Sequence, residues 1–389
     1  MKSMTDKVLV FIDWYLPGFR AGGPTRSCAN MVAALGGEFS FYIVTRNTDY
    51  CESEPYPDIP ENQWIVLPSG ERVWYLPEGG ISLRTVRQIM ESENWSTIYV
   101  NGLYSRFFSV YPLLIRKMTG KLNVPVIVAA RGMLAASAIG VKKTKKRIFL
   151  KTAKLFGLYK GVFFQATHQG EENEIHKEIG PNNKVFVAPN IAQRELLSDE
   201  PPEKRQGSLR LISIARIAPE KNLLFLLEAL SNVRANVQLS VYGSIYDENY
   251  WKSCLRVINA FPDNVRVEVH GVIEPSQIPV ALGKHHMLVL PSRGENFGHV
   301  IAESMLAGRP VLVSDQTPWK GLEKSHSGKD IPLRMDNWRK AIDYFAGLDN
   351  DGFKVWLRGA AQRGQEVSKD PGPVDRHREM FRAVISFHE

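Results

Sequence analysis

The stretch that most constrains the fold spans residues 287–313. It reads as an apolar strand, a glycine-bearing turn, a short helix and a second apolar strand. The helix is predicted to begin near Gly298, because apolar residues at helical spacing follow a turn-like segment there. Gly308 and Pro310 end it, since neither residue continues a helix well. A strand–turn–helix–strand succession of this kind belongs in a parallel α/β sheet.

The same stretch offers chemistry for a ligand. The free backbone N–H groups of Gly298, His299 and Val300 make the predicted helix start an anion site. Glu295 in the turn and Glu303 on the helix add two carboxylates that accept hydrogen bonds from sugar hydroxyls. A phosphate cradle beside two carboxylates suits a nucleotide-sugar. The alternative is an ordinary strand–turn–helix with two exposed glutamates.

A resemblance favours the first interpretation. Glu295 and Glu303 are separated by seven residues, with Phe297-Gly298 between them and Ala-Gly-Arg-Pro-Val after them at 307–311. This pattern resembles the E-x7-E signature of the family 4 retaining glycosyltransferases. Trp319, in the segment Thr-Pro-Trp, resembles a feature of the bacterial surface-polysaccharide members of that family. The resemblance implies an α/β GT-B fold, in which two Rossmann-like doubly wound domains face each other across a cleft.

The order of predicted elements agrees with two such domains, since strands alternate with helices in both halves. We predict an N-terminal acceptor-binding domain at 1–190, a linker at 191–208 and a nucleotide-sugar-binding domain at 209–372. The linker is indicated by a polar, non-periodic segment with two prolines. The resemblance also implies that the last helix, about 373–389, packs back on the first domain.

Two cations follow the first predicted strand of the second domain. Arg216 ends the strand and Lys221 begins the helix, so both project at the carboxyl edge of the sheet. Fixed cations there can stabilise the negative charge of a departing diphosphate without a metal. A lysine at a helix start opposes the helix dipole and therefore needs an anionic partner. The spacing resembles the Arg-x4-Lys pair of the family, although a surface Arg and a helix-start Lys are also common.

Further site residues follow from the resemblance. Glu295 should contact the transferred sugar and Glu303 the ribose hydroxyls, while glycines after strands let a ligand approach the backbone. The predicted substrate-binding residues are Gly22, Gly23, Gly243, Ile273, Asn296, Phe297, Gly298, His299, Val300 and Glu303.

Arg131 follows a predicted strand at 124–129, where many family members carry a histidine. An arginine cannot act as a base, but it can hold a phosphate or the acceptor. The alternative is a strand-end arginine paired to a local carboxylate. The predicted catalytic residues are Glu295, Arg216, Lys221 and Arg131, with no protein nucleophile and no metal or other cofactor.

The net charge of +8 is unevenly spread, since residues 94–170 contain no Asp or Glu. A basic cluster at 142–160 should attract phospholipid headgroups, pyrophosphate-linked lipids or nucleic acid. This segment is predicted to form a helix, for which there are three interpretations. The helix rests on an anionic membrane, or it packs its apolar residues into the core, or its basic face is simply solvated. Three scattered cysteines and the lack of an 18-residue apolar run favour the cytoplasm, with peripheral attachment to the inner face of the membrane as an option.

The expected activity is therefore metal-independent, retaining transfer of a hexose from a UDP- or GDP-linked donor. The acceptor is expected to be a hydroxyl of a polyprenyl-diphosphate-linked saccharide in surface polysaccharide or lipopolysaccharide synthesis. Two alternatives are a GT-B nucleotide-sugar 2-epimerase and a basic nucleic-acid-binding protein. The last lacks aromatic interleaving and a recognition motif, so no nucleic acid is expected as a partner.

Overall fold

The computed structural model describes residues 5–119, 124–135, 143–196 and 201–387. The chain divides into two compact parts. The first unit comprises residues 1–191 together with 371–389, and the second unit comprises residues 192–370. The sequence analysis placed the linker at 191–208, and the structural division falls at its start.

The first unit holds an eight-stranded sheet with helices on both faces. Its strands are β1 (Asp6–Phe11), β2 (Phe39–Arg46), β3 (Trp64–Val66), β4 (Arg72–Leu76), β5 (Thr97–Asn101), β6 (Val126–Ala129), β7 (Phe163–Ala166) and β8 (Lys184–Val187). Its helices are α1 (Gly23–Leu35), α2 (Leu83–Glu91), α3 (Tyr111–Thr119), α4 (Lys143–Leu155), α5 (Gln169–Glu178) and, from the end of the chain, α12 (Gly372–Ser386).

The second unit holds a six-stranded, wholly parallel sheet. Its strands are β9 (Ser208–Ile214), β10 (Asn236–Tyr242), β11 (Val265–Gly271), β12 (Met287–Leu290), β13 (Val311–Ser314) and β14 (Gly328–Ile331). Its helices are α6 (Leu223–Leu230), α7 (Glu248–Ile258), α8 (Ile278–Gly283), α9 (His299–Leu306), α10 (Met335–Gly347) and α11 (Asn350–Lys369).

Strand order fixes where each sheet can bind a ligand. The second sheet runs β11-β10-β9-β12-β13-β14, so its order reverses between β9 and β12. The first runs β3-β4-β2-β1-β5-β6-β7-β8 and reverses between β1 and β5, and only the β3–β4 pair is antiparallel. Open α/β sheets bind ligands at such switch points, beyond the carboxyl ends of the strands.

The central strands carry apolar runs because both faces of each sheet are covered. In β1, Leu9 and Phe11 enter the core cluster on one face, and Val8 and Val10 enter the cluster on the other. Alternate side chains of a strand point to opposite faces, so a strand buried on both sides reads as a continuous apolar run. The predicted doubly wound architecture is confirmed in both units.

Helix α12 belongs to the core of the first unit although it is last in the chain. Phe381 is fully buried, with its ring 5.3 Å from that of Phe39, 6.0 Å from Phe41 and 5.9 Å from Tyr99. Outside the core, Arg378 donates to both carboxylate oxygens of Glu38, at 2.7 and 2.8 Å. The helix thus covers one face of the first sheet.

The segment at the start of the second unit is anchored by a lysine. Lys204 is buried, and its ammonium group donates to the backbone carbonyls of Arg205, Ala346 and Leu348 at 2.8–2.9 Å. Three acceptors match the three N–H donors of an ammonium group. Part of the sequence predicted as a linker is therefore packed on the second unit, while residues 197–200 lie outside the described residues.

Candidate active site

The switch point of the second sheet brings together the motif residues that lie far apart in sequence. The loop after β9 carries Arg216 and Lys221, and the loop after β12 carries Glu295. These loops are tied together, because the Arg293 backbone N–H donates to the Glu220 carbonyl at 2.9 Å. Three predicted catalytic residues thus occupy the two loops where α/β sheets bind ligands.

Lys221 and Glu295 form an ion pair at this point. The distance from Lys221 Nζ to Glu295 Oε1 is 2.5 Å, and the two side chains are 21% and 10% exposed. The Ser292 hydroxyl donates to the same oxygen at 2.7 Å. Glu295 Oε2 is the carboxylate oxygen that these two contacts leave to a further donor. The anionic partner that the sequence required for Lys221 is thus Glu295 itself.

Arg216 lies on the outer side of the same loop. One guanidinium nitrogen is 3.5 Å from Glu220 Oε1, and the guanidinium carbon is 5.4 Å from the centre of the Tyr246 ring. About a third of the side chain is exposed, so Arg216 can exchange this partner for a ligand without a large desolvation cost.

Helix α9 begins shortly after Glu295 in the chain, and its first backbone N–H groups are available to an anionic ligand. Gly298 is the N-cap residue in a left-handed conformation, and within the described structure no side chain caps the helix. A Cβ at Gly298 would lie 2.7 Å from Ile301 Cδ1. Glycine is therefore required here, and the helix start retains the backbone donors that favour an anion.

An aromatic cluster supports the start of α9. Phe297 lies 4.8 Å from the His299 ring and 5.5 Å from the Trp319 ring, and Trp319 Nε1 donates to the Phe297 carbonyl. Phe297, Val300 and Ile273 all pack on one core cluster of the second unit. These three predicted substrate-binding residues therefore pack on the same part of the core, and Trp319 fixes the backbone at 297.

Glu303 sits deeper than the sequence pattern indicated. It lies within α9 and is only 5% exposed. His299 is also buried, whereas Asn296 is half-buried. The carboxylate of Glu295 connects the two loops through its contacts with Lys221 and Ser292.

Gly243 follows β10 and is needed for packing. Its φ is +152°, and an added Cβ would lie 1.9 Å from the Ala215 carbonyl oxygen. On its other side, the Gly243 N–H donates to the Gly271 carbonyl at the end of β11, at 2.7 Å. The close approach of Ala215, which follows β9, is sufficient reason for a glycine here.

Gly22, Gly23 and Arg131 lie in the first unit. Gly22 is the N-cap residue of α1, with φ +73°, and a Cβ at either glycine meets no atom within 4 Å. The loop before them is held by Asp49, whose carboxylate accepts from the backbone N–H groups of Phe19 and Arg20. The glycines therefore border open space.

Among the described residues, no carboxylate pairs with Arg131, in contrast to the sequence interpretation of a strand-end arginine paired to a local carboxylate. Its guanidinium donates to Asn101 Oδ1 at 2.6 Å, Asn190 Oδ1 at 2.7 Å and the Tyr99 hydroxyl at 2.6 Å. All three acceptors are uncharged. Sequence reasoning missed these partners, of which Asn101 ends β5 and Asn190 follows β8.

The basic helix divides its apolar residues between the core and the surface. In α4, Leu150 and Ala153 are buried, and Phe149 packs against the core. In contrast, Ile148 is 57% exposed and Leu155 is 80% exposed. Packing into the core therefore accounts for only part of the apolar face, and Lys142 of the basic cluster lies outside the described residues.

Comparison with known proteins finds similarity to glycosyltransferases. Residues 208–330 match the family model described as "Glycosyl transferases group 1". An uncharacterised glycosyltransferase of Methanocaldococcus jannaschii is 23% identical over 303 residues, which cover 75% of each chain.

Solved structures share the fold along nearly the whole chain. Sucrose-phosphate synthase of Thermosynechococcus elongatus has a TM-score of 0.70 at 16% identity, covering 98% of this chain and 100% of that one. HepE of Anabaena, in complex with UDP and glucose, has a TM-score of 0.70 at 14% identity and the same coverage. WaaG, a glycosyltransferase involved in lipopolysaccharide biosynthesis, has a TM-score of 0.65 at 13% identity, covering 96% and 99%.

The fold is GT-B, as the sequence resemblance implied. The second unit thus matches a glycosyltransferase family model over residues 208–330, and the similar protein of Methanocaldococcus jannaschii is also described as a glycosyltransferase. Among the described residues, no helix has the length and apolar character needed to cross a membrane.

Proposed function

We propose that this protein is a retaining, metal-independent glycosyltransferase that moves a hexose from a UDP- or GDP-linked donor to a hydroxyl of a saccharide. The observation that carries the proposal is the Lys221–Glu295 ion pair at the switch point of a domain matching group 1 glycosyltransferases. HepE, with the same fold, is described in complex with UDP and glucose. A nucleoside diphosphate is accordingly the expected ligand of the second unit.

The roles of the residues follow from charge. Cleavage of the sugar–phosphate bond leaves negative charge on the departing diphosphate, which Lys221, Arg216 and the N-terminus of α9 stabilise. Glu295 keeps Lys221 in place through Oε1 and presents Oε2 to a hydroxyl of the hexose. Ser292 fixes the carboxylate by its hydrogen bond to Oε1.

The remaining donor contacts rest on the sequence resemblance. Glu303 is assigned to the ribose hydroxyls, and the turn at Ile273 to the base. Because Glu303 is buried, this role requires the ribose to reach the side of α9. Gly22 and Gly23 are assigned to the first unit's part of the substrate site.

Product analysis tests the reaction type. The protein is incubated with UDP-glucose or GDP-mannose, with and without a mixture of saccharide acceptors, and the anomeric configuration of the product is read by NMR. We expect acceptor-dependent release of nucleoside diphosphate and retention of configuration. Conversion of the donor sugar in the absence of any acceptor would instead identify an epimerase.

We also infer that α4 rests on an anionic membrane, where a lipid-linked acceptor would be found. Ile148 and Leu155 are seven residues apart, hence on one helix face, and Phe156, 65% exposed, follows them. Basic residues at 147, 151 and 154 flank this face. Exposed apolar residues bordered by lysine and arginine are typical of an interfacial helix.

Vesicle binding tests this surface. We expect the protein to co-sediment with vesicles containing phosphatidylglycerol and not with pure phosphatidylcholine vesicles, and the Leu155→Asp, Phe156→Asp variant to lose binding. Val66→Asp is the matched control, because Val66 is 65% exposed on β3, away from the basic helix. Equal sedimentation of the wild type with both vesicle types would refute membrane binding through charge.

A further inference from the structure

The switch point of the first sheet holds polar residues that the proposed donor site does not use. Asp13 follows β1, and Ser105 follows β5, the two strands between which the order reverses. The Ser105 hydroxyl donates to Asp13 Oδ1 at 2.8 Å, and Arg46 at the end of β2 lies 3.6 Å from the same oxygen. Asn101 and Arg131 lie at the ends of β5 and β6. A ligand of this unit is therefore expected beside them.

Arg131 is held rigidly by groups that leave its charge uncompensated. Its backbone is in the left-handed region, with φ +53°, and its three hydrogen bonds go to amide and phenol oxygens. The carboxylate of Glu171 accepts instead from the backbone N–H groups of Gly132 and Thr167. A fixed cation that no described carboxylate contacts directly is arranged to receive an anion.

The chain of hydrogen bonds behind Arg131 is neutral. Tyr99 donates to Gln165 Oε1, and Gln165 Nε2 lies 3.0 Å from His377 Nε2. His377 Nδ1 is 2.8 Å from the Pro373 carbonyl, which can only accept, so Nδ1 carries the proton and Nε2 accepts from Gln165. Burial lowers the pKa of His377 to about 4 and raises that of Tyr99. At neutral pH the chain fixes Arg131 without adding charge.

Asn101 supplies a second donor at the same place. Its Oδ1 accepts from Arg131, which fixes the orientation of the amide, and in the described structure Nδ2 has no hydrogen-bond partner. The residue is only 6% exposed. Leaving a buried donor without a partner is unfavourable, so such a group calls for a ligand or another functional explanation.

We propose that Arg131 and Asn101 bind an anionic group of the sugar acceptor, a phosphate or a carboxylate. Arg131 supplies the charge, Asn101 the neutral donor, and the chain through Tyr99 and Gln165 to His377 holds both in place. Asp13 and Ser105, at the adjoining strand ends, are acceptors for a nearby hydroxyl. The inference rests on the proposed glycosyl transfer, because it assigns the acceptor to the first unit.

Anion binding is measured in an Arg216→Ala, Lys221→Ala background, so that the diphosphate site of the second unit does not contribute. The probes are inorganic pyrophosphate for the phosphate arm and glucuronate for the carboxylate arm, titrated by NMR or calorimetry. We expect one of them to bind with a Kd in about the millimolar range. Adding Arg131→Gln should weaken that binding at least about tenfold.

Asn101→Asp is the sharper variant, because it places a carboxylate on Arg131 with little change in shape. It should abolish anion binding while the melting temperature stays the same or rises. Arg84→Gln, on the exposed face of α2, is the matched control and should bind as before.

Failure of both probes to bind, or unchanged binding in Arg131→Gln and Asn101→Asp, would overturn the inference. UDP binding to the otherwise unmodified protein is recorded in parallel. If UDP binds and the anion probes do not respond, the acceptor inference fails and the proposed transfer stands. If the anion probes respond and no nucleotide binds, the anion site stands and the proposed transfer fails.

Discussion

At the scale of single residues, the ion pair between Lys221 and Glu295 organises the donor site. The two residues are 74 positions apart in sequence and meet because β9 and β12 are neighbours in the sheet. Both side chains are mostly buried, so their attraction is screened less than that of a surface pair. A lysine held in this way is positioned for the diphosphate.

Replacing Lys221 by Ala should lower turnover by about a hundredfold or more, because a fixed cation is lost from the departing diphosphate. Turnover is measured at saturating donor, and Lys252→Ala serves as the control, since Lys252 is exposed on α7 of the same unit. A near-native rate for Lys221→Ala would remove the diphosphate assignment.

The sequence predicted the need for a partner at Lys221 but not the partner. A helix-start lysine signals an anion through the helix dipole, whereas the identity of that anion depends on strand order, which no local pattern encodes. The partners of Arg131 were missed for the same reason, since Tyr99 and Asn101 lie on β5 whereas Asn190 follows β8. The family resemblance pointed to Arg131 itself and left its partners open.

At the scale of elements, α12 completes the core of the first unit. Its buried residues pack on the same face of the sheet as α1, and Phe381 contacts rings from β2 and β5. His377 on the same helix ends the hydrogen-bond chain to Arg131. The helix therefore serves both packing and the proposed acceptor site.

Phe381→Ala should destabilise the first unit by about 3–5 kcal/mol, because it removes a fully buried ring and leaves a cavity. Urea unfolding followed by fluorescence measures the loss. Arg376→Ala on the exposed face of α12 is the control and should unfold like the wild type. An equally small effect of both substitutions would show that α12 contributes little to the core.

Strands were predicted to within a few residues because they are continuous apolar runs between turn signals. Helix starts were less accurate. The apolar pattern that begins at Ile81 does not mark the start of α2, which begins at Leu83 because Ser82 caps it by accepting from the Thr85 N–H at 3.1 Å. A π-turn at Arg106–Val110 precedes α3, and this local geometry has no periodic signature in the sequence.

At the scale of the whole molecule, each unit contains a buried histidine that resists protonation. Burial lowers the pKa of His377 in the first unit and of His286 in the second to about 4. In an unfolded chain a histidine has a pKa of about 6.5. Between these values the unfolded chain binds a proton that the folded unit does not, so stability falls as pH falls.

Both units should therefore lose stability on acidification from about pH 6.5 to about pH 4, by up to about 1.4 kcal/mol per pH unit for each histidine. Urea unfolding at a series of pH values measures the midpoints. His377→Gln should flatten the dependence of the first unit's transition and leave that of the second unchanged. A wild-type midpoint that does not move across this range would show that these histidines are not linked to folding.

The two-unit organisation followed from the sequence because the alternating pattern restarts after a polar, proline-containing segment. The boundary itself was harder to place, since Lys204 in that segment is packed on the second unit by hydrogen bonds to residues far along the chain. Burial of a lysine leaves no local pattern in the sequence.

The most direct test of the central claim is calorimetric titration of UDP, GDP and ADP into the wild type and the Lys221→Ala variant. The account predicts that a uridine or guanosine diphosphate binds the wild type, and that Lys221→Ala weakens this binding at least about tenfold through loss of a charge-assisted contact. No binding heat with any of the three nucleotides, or equal affinity in the variant, would contradict a diphosphate site at the Lys221–Glu295 ion pair.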